Sequence, residues 1–123
     1  MTAESFIRSI SPLLKEHGFN KSNATWRRRR AESTAVLNVQ KSPWGDGSFY
    51  INLGVYFPAL GSQANPTENA CHVQVRLDVE DAVDVVAKAL TWFDARACLS
   101  DAARLAEADS KKGLVFKEVR NAP

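Results

Sequence analysis

Two stretches of alternating apolar and polar residues, 33–41 and 49–57, predict the two arms of a β-hairpin. A strand places successive side chains on opposite faces, so a period of two marks a half-buried strand. Ala35, Leu37 and Val39 form one face of the first arm. Ile51, Leu53, Val55 and Phe57 form one face of the second. Between the arms, Ser42-Pro43-Trp44-Gly45-Asp46-Gly47-Ser48 is rich in residues suited to turns.

Outside the hairpin the period changes. Phe6, Ile10, Leu13 and Leu14, with Ile7 beside them, form a helical stripe over residues 3–17. Gly18 is placed to cap that helix in the left-handed conformation. Pro12 removes one helical hydrogen bond, so a kink or a break with Ser11 as a cap is expected there. Residues 25–30 predict a strand with Trp26 facing inward and the arginine stems of Arg28 and Arg30 reaching the rim. Four consecutive arginines suit an edge strand. Pro58 ends the hairpin, and residues 58–70 form a long loop of a length that is often functional. Residues 71–77 are a further strand, with Cys71, Val73, Val75 and Leu77 inward and His72, Gln74 and Arg76 outward. Gly54 within its strand implies a bulge, or close approach by a large side chain such as Trp26 or Tyr56.

Asp78 is the expected cap of a helix over 79–93, with Val79, Ala82, Val83, Val86, Leu90 and Phe93 as its apolar stripe. Asp84 and Lys88 are spaced for an exposed ion pair. Ser100 caps a third helix near 101–110, ended by Gly113, and residues 114–119 are either a short strand or a last helical turn. The expected fold is α+β: a four-stranded antiparallel meander sheet in sequential order. One face is covered by an N-terminal helix and a C-terminal helix, with a further short helix at the C-terminus.

Composition narrows the class. The 123 residues suit a single domain, 1–123, large enough to bury a core without staples. No apolar run is long enough to span a membrane, and Glu4, Arg8 and Pro12 interrupt any secretory signal. Cys71 and Cys98 form no disulfide framework and are expected to be reduced thiols, which favours a cytoplasmic location. Residues 1–62 carry eight basic and four acidic side chains and the remainder eight and ten, so the net charge of +2 hides a basic first half. That excess is Arg27–Arg30, a local patch rather than the global basicity of a dedicated nucleic-acid binder.

The segments Gly18-Phe19-Asn20-Lys21, Gln40-Lys41-Ser42, Asn52-Leu53-Gly54-Val55-Tyr56, Cys71-His72 and Trp92 occur in a familiar order. Together they resemble the bacterial domain-of-unknown-function family numbered four-three-zero-four. The resemblance implies a small cytoplasmic bacterial domain and carries no catalytic residues to transfer.

Candidate chemistry gathers on the outward face of the sheet. Asn38, Gln40, Tyr50, Asn52, Tyr56, His72, Gln74 and Arg76 share it by parity, as amides, phenols, an imidazole and a guanidinium. Such a set is either a solvated face tied by cross-strand hydrogen bonds or a recognition surface. Trp44 in the hairpin loop either folds back on the core or anchors a partner, and Asn52 either bonds laterally within the sheet or orients a ligand. Arg27, Arg28, Arg29 and Arg30 with nearby aromatics have the ingredients of a single-stranded nucleic-acid surface, or else pair with the acidic second half. His72 has no companions at metal-binding spacing, and Cys71 beside it points to the opposite face. No phosphate loop, nucleophile elbow or pair of metal-binding carboxylates is present, and neither a metal nor a cofactor is expected.

The resulting expectation is a non-enzymatic binding domain that recognises a protein or a small ligand through the polar sheet face. By fold analogy it is immunity- or inhibitor-like. Two alternatives stand beside it: nucleic-acid binding through Arg27–Arg30, and a hydrolase or transferase using His72.

Overall fold

The computed structural model describes residues 1–108 and 114–115. The fold is α+β: an antiparallel sheet with three helices. Helix α1 (Ala3–Glu16) opens on a capping box in which the Thr2 hydroxyl accepts from the Ser5 amide and the Ser5 hydroxyl accepts from the Thr2 amide. It closes as expected on Gly18, at φ +85°. Gly18 N donates to Lys15 O and Phe19 N to Leu14 O, both at 3.0 Å. Phe19 and Leu14 are both buried in the core, completing the apolar contact of this cap.

Pro12 neither kinks nor splits α1, which runs unbroken past it. Pro12 and Arg8 both lie on the exposed side of the helix. The Arg8 carbonyl that loses its amide partner therefore faces solvent and can accept from water.

The sheet follows in order β1 (Asn20–Ser22), β2 (Thr25–Arg29), β3 (Thr34–Lys41), β4 (Phe49–Tyr56), β5 (Val73–Leu77) and β6 (Leu114–Val115). The expected four-strand meander is β2 to β5, and the sheet is wider by a short strand on each side. β1 has no apolar alternation to betray it, because all three of its residues are exposed. It pairs with Thr25, Trp26 and Arg27, so the arginine strand is not an edge along that half. Of the segment left open between strand and helix, Leu114–Val115 is strand; residues 116–119, like the expected helix end at 109–110 and Gly113, lie outside the described residues.

The inner face of the sheet carries Trp26, Ala35, Leu37, Val39, Ile51, Leu53, Val55 and Val73 into one core with Phe6, Ile10, Leu14, Val86 and Phe93 from α1 and α2. Full burial of a side chain such as Leu37 or Leu53 contributes roughly 1.5–3 kcal/mol before chain entropy opposes it.

Helix α2 (Ala82–Asp94) starts at Asp81 rather than Asp78, since Asp81 Oδ1 accepts from Asp84 N at 3.0 Å. Val79, ahead of the helix, and Val83 are exposed, and Val85 and Ala89, outside the expected stripe, are buried with Val86 and Phe93. Lys88 reaches Glu80 at 2.6 Å instead of pairing with Asp84. Helix α3 (Leu99–Ala108) likewise begins before Ser100, with Ala102 N bonded to Cys98 O. Among the described residues no helix is long and apolar enough to cross a membrane, and both cysteines are free.

The left-handed backbone at Gly18 is the joint between α1 and the sheet. Gly18→Ala should lower the unfolding free energy by about 1–2 kcal/mol, read from the midpoint shift in urea.

Candidate functional site

One row of side chains crosses the outer sheet face in register. Thr25 lies opposite Asn38, Asn38 opposite Asn52, and Asn52 opposite Arg76, so four strands contribute one polar residue each. The row is continuously hydrogen-bonded. Asn38 Nδ2 donates to Thr25 Oγ1 at 3.0 Å and to Ala24 O at 3.2 Å. Asn52 Nδ2 donates to Asn38 Oδ1 at 3.3 Å and to Gln40 Oε1 at 3.0 Å, while Arg76 Nε donates to Asn52 Oδ1 at 3.0 Å. Asn52 is buried, so the amide acts laterally within the sheet, one of its two expected uses.

On the adjoining row Gln40 faces Tyr50, and the Arg76 guanidinium lies 4.2 Å from the centre of the Tyr50 ring. Gln40 and Arg76 are exposed and Tyr50 is half-buried. Trp44 does not fold back: it is 82% exposed in the β3–β4 loop, at the same end of the sheet as Gln40 and Tyr50.

The other expected site residues do not join this group, because the long loop folds over the rest of the outer face. Tyr56 is buried beneath it, and its hydroxyl accepts from Gln63 N at 2.9 Å. His72 stacks on Tyr56, with ring centres 4.7 Å apart. Its Nδ1 accepts from the Phe57 amide at 3.0 Å, which fixes the tautomer with hydrogen on Nε2. Gln74 donates to Asn69 O and Cys71 O. These three hold the loop rather than face a ligand. None of three open grooves, one on α2, one where α1 meets β1 and one beside the β3–β4 loop, is lined by His72.

Cys71 also departs from the expected parity. A 3₁₀ turn at Glu68–Ala70 ends on it, β5 starts only at Val73, and the Cys71 side chain lands on the outer face against Val36 and Tyr56. It fills the space over Gly54. A Cβ at Gly54 would stand 2.6 Å from both Cβ and Sγ of Cys71, so a cysteine, not Trp26 or Tyr56, makes the close approach. Burial pushes the Cys71 thiol up to about 12, helped by Glu68 and opposed by Arg27, so it is inert as a nucleophile. The cue was present in the sequence: Val36 is an apolar residue at an outward position of β3, directly opposite Gly54.

The arginines divide by parity. Arg27 Nε donates to Pro66 O at 2.8 Å, and Arg29 Nη2 to Ala64 O at 2.7 Å and Asn65 Oδ1 at 2.9 Å, clamping the loop from the outer face. On the inner side Arg30 bonds Asp94 of α2, and Arg28 Nη2 lies 3.5 Å from the same carboxylate. Arg28 also stacks 4.8 Å over Phe19 and donates to His17 O. Its partial burial, then the nearby Arg30, hold that guanidinium below its ordinary value against the pull of Asp94. Of the two expected uses, pairing with acidic residues is met by Arg28 and Arg30 at Asp94; the loop carbonyls gripped by Arg27 and Arg29 carry no sequence signal.

No group of three or more histidine, cysteine or acidic side chains able to hold a metal occurs among the described residues. The family model described as Domain of unknown function (DUF4304) matches residues 10–110, most of the chain, and the protein belongs to that family. Comparison with curated proteins and with solved structures gave no match.

Two outcomes test the packing under the loop. Gly54→Ala should destabilise by about 1–3 kcal/mol, and adding Cys71→Gly should recover part of that loss in urea denaturation. Iodoacetamide at pH 8 should add one label by mass spectrometry, at the half-buried Cys98, with Cys71 modified only in denaturant.

Proposed function

We propose that the protein is a non-enzymatic binding module whose contact surface is the uncovered end of the outer sheet face, centred on Gln40, Trp44, Tyr50 and Arg76. The observation that carries the reading is Arg76, exposed yet held in place by the Tyr50 ring and by the buried amide of Asn52. Ordering a long side chain costs about 1–2 kcal/mol of rotamer freedom, and here that cost is met before any partner arrives. Arginine, tyrosine and tryptophan are the residues that most often dominate interface energetics. Trp44, unpacked in a loop at the same end of the sheet, supplies the apolar anchor such a surface needs.

The geometry supports the alternatives less. His72 lies beneath the loop with Nδ1 already accepting a backbone amide, which takes that nitrogen away from proton transfer. The four arginines face two sides of the sheet, each with an intramolecular partner, so they do not form one track for a phosphate backbone.

Immobilised wild type and a Gln40→Ala/Trp44→Ala/Arg76→Ala variant, with an Arg104→Ala control on α3, test the reading by comparative capture from lysate. Loss of at least tenfold in one captured partner by the triple variant alone is the expected result. Identical capture profiles for all three proteins, or no capture by any, would remove this surface as the binding site.

A further inference from the structure

The direction of the hydrogen bonds along the polar row determines what its open end can receive. Asn38 Oδ1 accepts from Asn52, Asn52 Oδ1 accepts from Arg76, and Gln40 Oε1 accepts from Asn52. Every side-chain amide oxygen of the array therefore already accepts a hydrogen bond. The nitrogens left over at the exposed end are the Gln40 amide nitrogen and the two terminal nitrogens of Arg76. None of these has a hydrogen-bond partner among the described residues. With a guanidinium edge and an amide nitrogen at its open end, the surface is rich in donors and suits an acceptor.

Charge and shape select among acceptors. The terminal edge of a guanidinium offers two N–H groups that match the two oxygens of a planar carboxylate. The array brings one cation and one neutral amide, and Glu68 at the loop margin brings an acidic group into the field of Arg76. A phosphate dianion would meet a single positive charge with a carboxyl group nearby, whereas a monoanionic carboxylate is balanced by Arg76 alone. Burial raises the Glu68 carboxyl above its ordinary range while Arg76 draws it down, which marks the two groups as electrostatic neighbours.

We propose that Arg76 and Gln40 form a carboxylate-binding site, taking the carboxylate of a free acid or of an acidic side chain. This deepens the binding-module reading and rests on it. Tyr50 acts as the platform that keeps the guanidinium flat, and Asn52 as the positioning residue that holds Nε and so turns the terminal nitrogens outward.

The test is a titration of the ¹⁵N-labelled full chain, following the Arg76 Nε–H and the Gln40 and Asn52 side-chain amides. The probes are sodium glutarate, an end-capped peptide of alternating glutamate and alanine, inorganic phosphate, and sodium chloride at matched ionic strength. Saturable shifts of these three signals with glutarate or with the peptide are expected, at lower concentration than with phosphate and absent with chloride. Saturation by glutarate as readily as by the peptide identifies a free acid as a sufficient source. Saturation by the peptide alone identifies an acidic side chain. Arg76→Gln should abolish the response, and Gln40→Ala should weaken it.

Unsaturable shifts, tighter binding of phosphate, or a response that survives Arg76→Gln in a variant with an otherwise unchanged spectrum would overturn the site. Partner capture that persists while the titration fails removes the carboxylate assignment and leaves the interface standing. Failure of both removes both.

Discussion

A primary amide buried in the middle of a sheet must satisfy two donors and an acceptor without water, and Asn52 sets that demand on the outer face of this protein. The polar neighbours answer it from three directions: Asn38 and Gln40 from β3 and Arg76 from β5. An unsatisfied buried polar group costs roughly 1–3 kcal/mol, so a sheet register that separated these residues would be penalised on this face as well as in the core. Inner and outer faces therefore specify the same register. Leu37 meets Leu53 on one row and Asn38 meets Asn52 on the next.

The same face is divided in two by the loop that follows β4. Over β2 and the far half of β3 and β4 it is closed, and it is closed by polar means: arginine donors to loop carbonyls, a tyrosine hydroxyl to a loop amide, an imidazole to the amide of Phe57. A loop laid on a sheet keeps its backbone groups, and those that leave water need partners. Gly54 and Cys71 allow the loop to come down closely, because a glycine in the strand leaves room for the thiol of the incoming chain. The uncovered remainder is small and rich in donors, which gives it its chemical character.

Four consecutive arginines show how strand parity separates neighbouring charges. Arg28 and Arg30 go to the helix side, where Asp94 and the Phe19 ring receive them, and Arg27 and Arg29 go to the loop side. A run that reads as one basic patch in sequence becomes two structural clamps on opposite faces. The outcome follows from the two-residue period alone once β2 has a neighbour on each side of the sheet to hold.

Local chemistry determined much of the architecture. Alternation placed β2 to β5 and their inner faces, Gly18 ended α1, and the outward set containing Asn52 and Arg76 was legible from parity, because period-two and cap signals depend only on neighbours in sequence. Only the tertiary structure decided which outward residues remain open. Tyr56, His72 and Gln74 have the same parity credentials as Gln40, Tyr50 and Arg76, yet they hold the loop, and Cys71 changes face because a 3₁₀ turn precedes its strand. The physical reason is that coverage of a face depends on where a distant, aperiodic segment comes to rest. That is set by long-range bonds such as Arg27 to Pro66 and Arg29 to Ala64, whose carbonyl acceptors are the same at every residue and so leave no mark in the sequence.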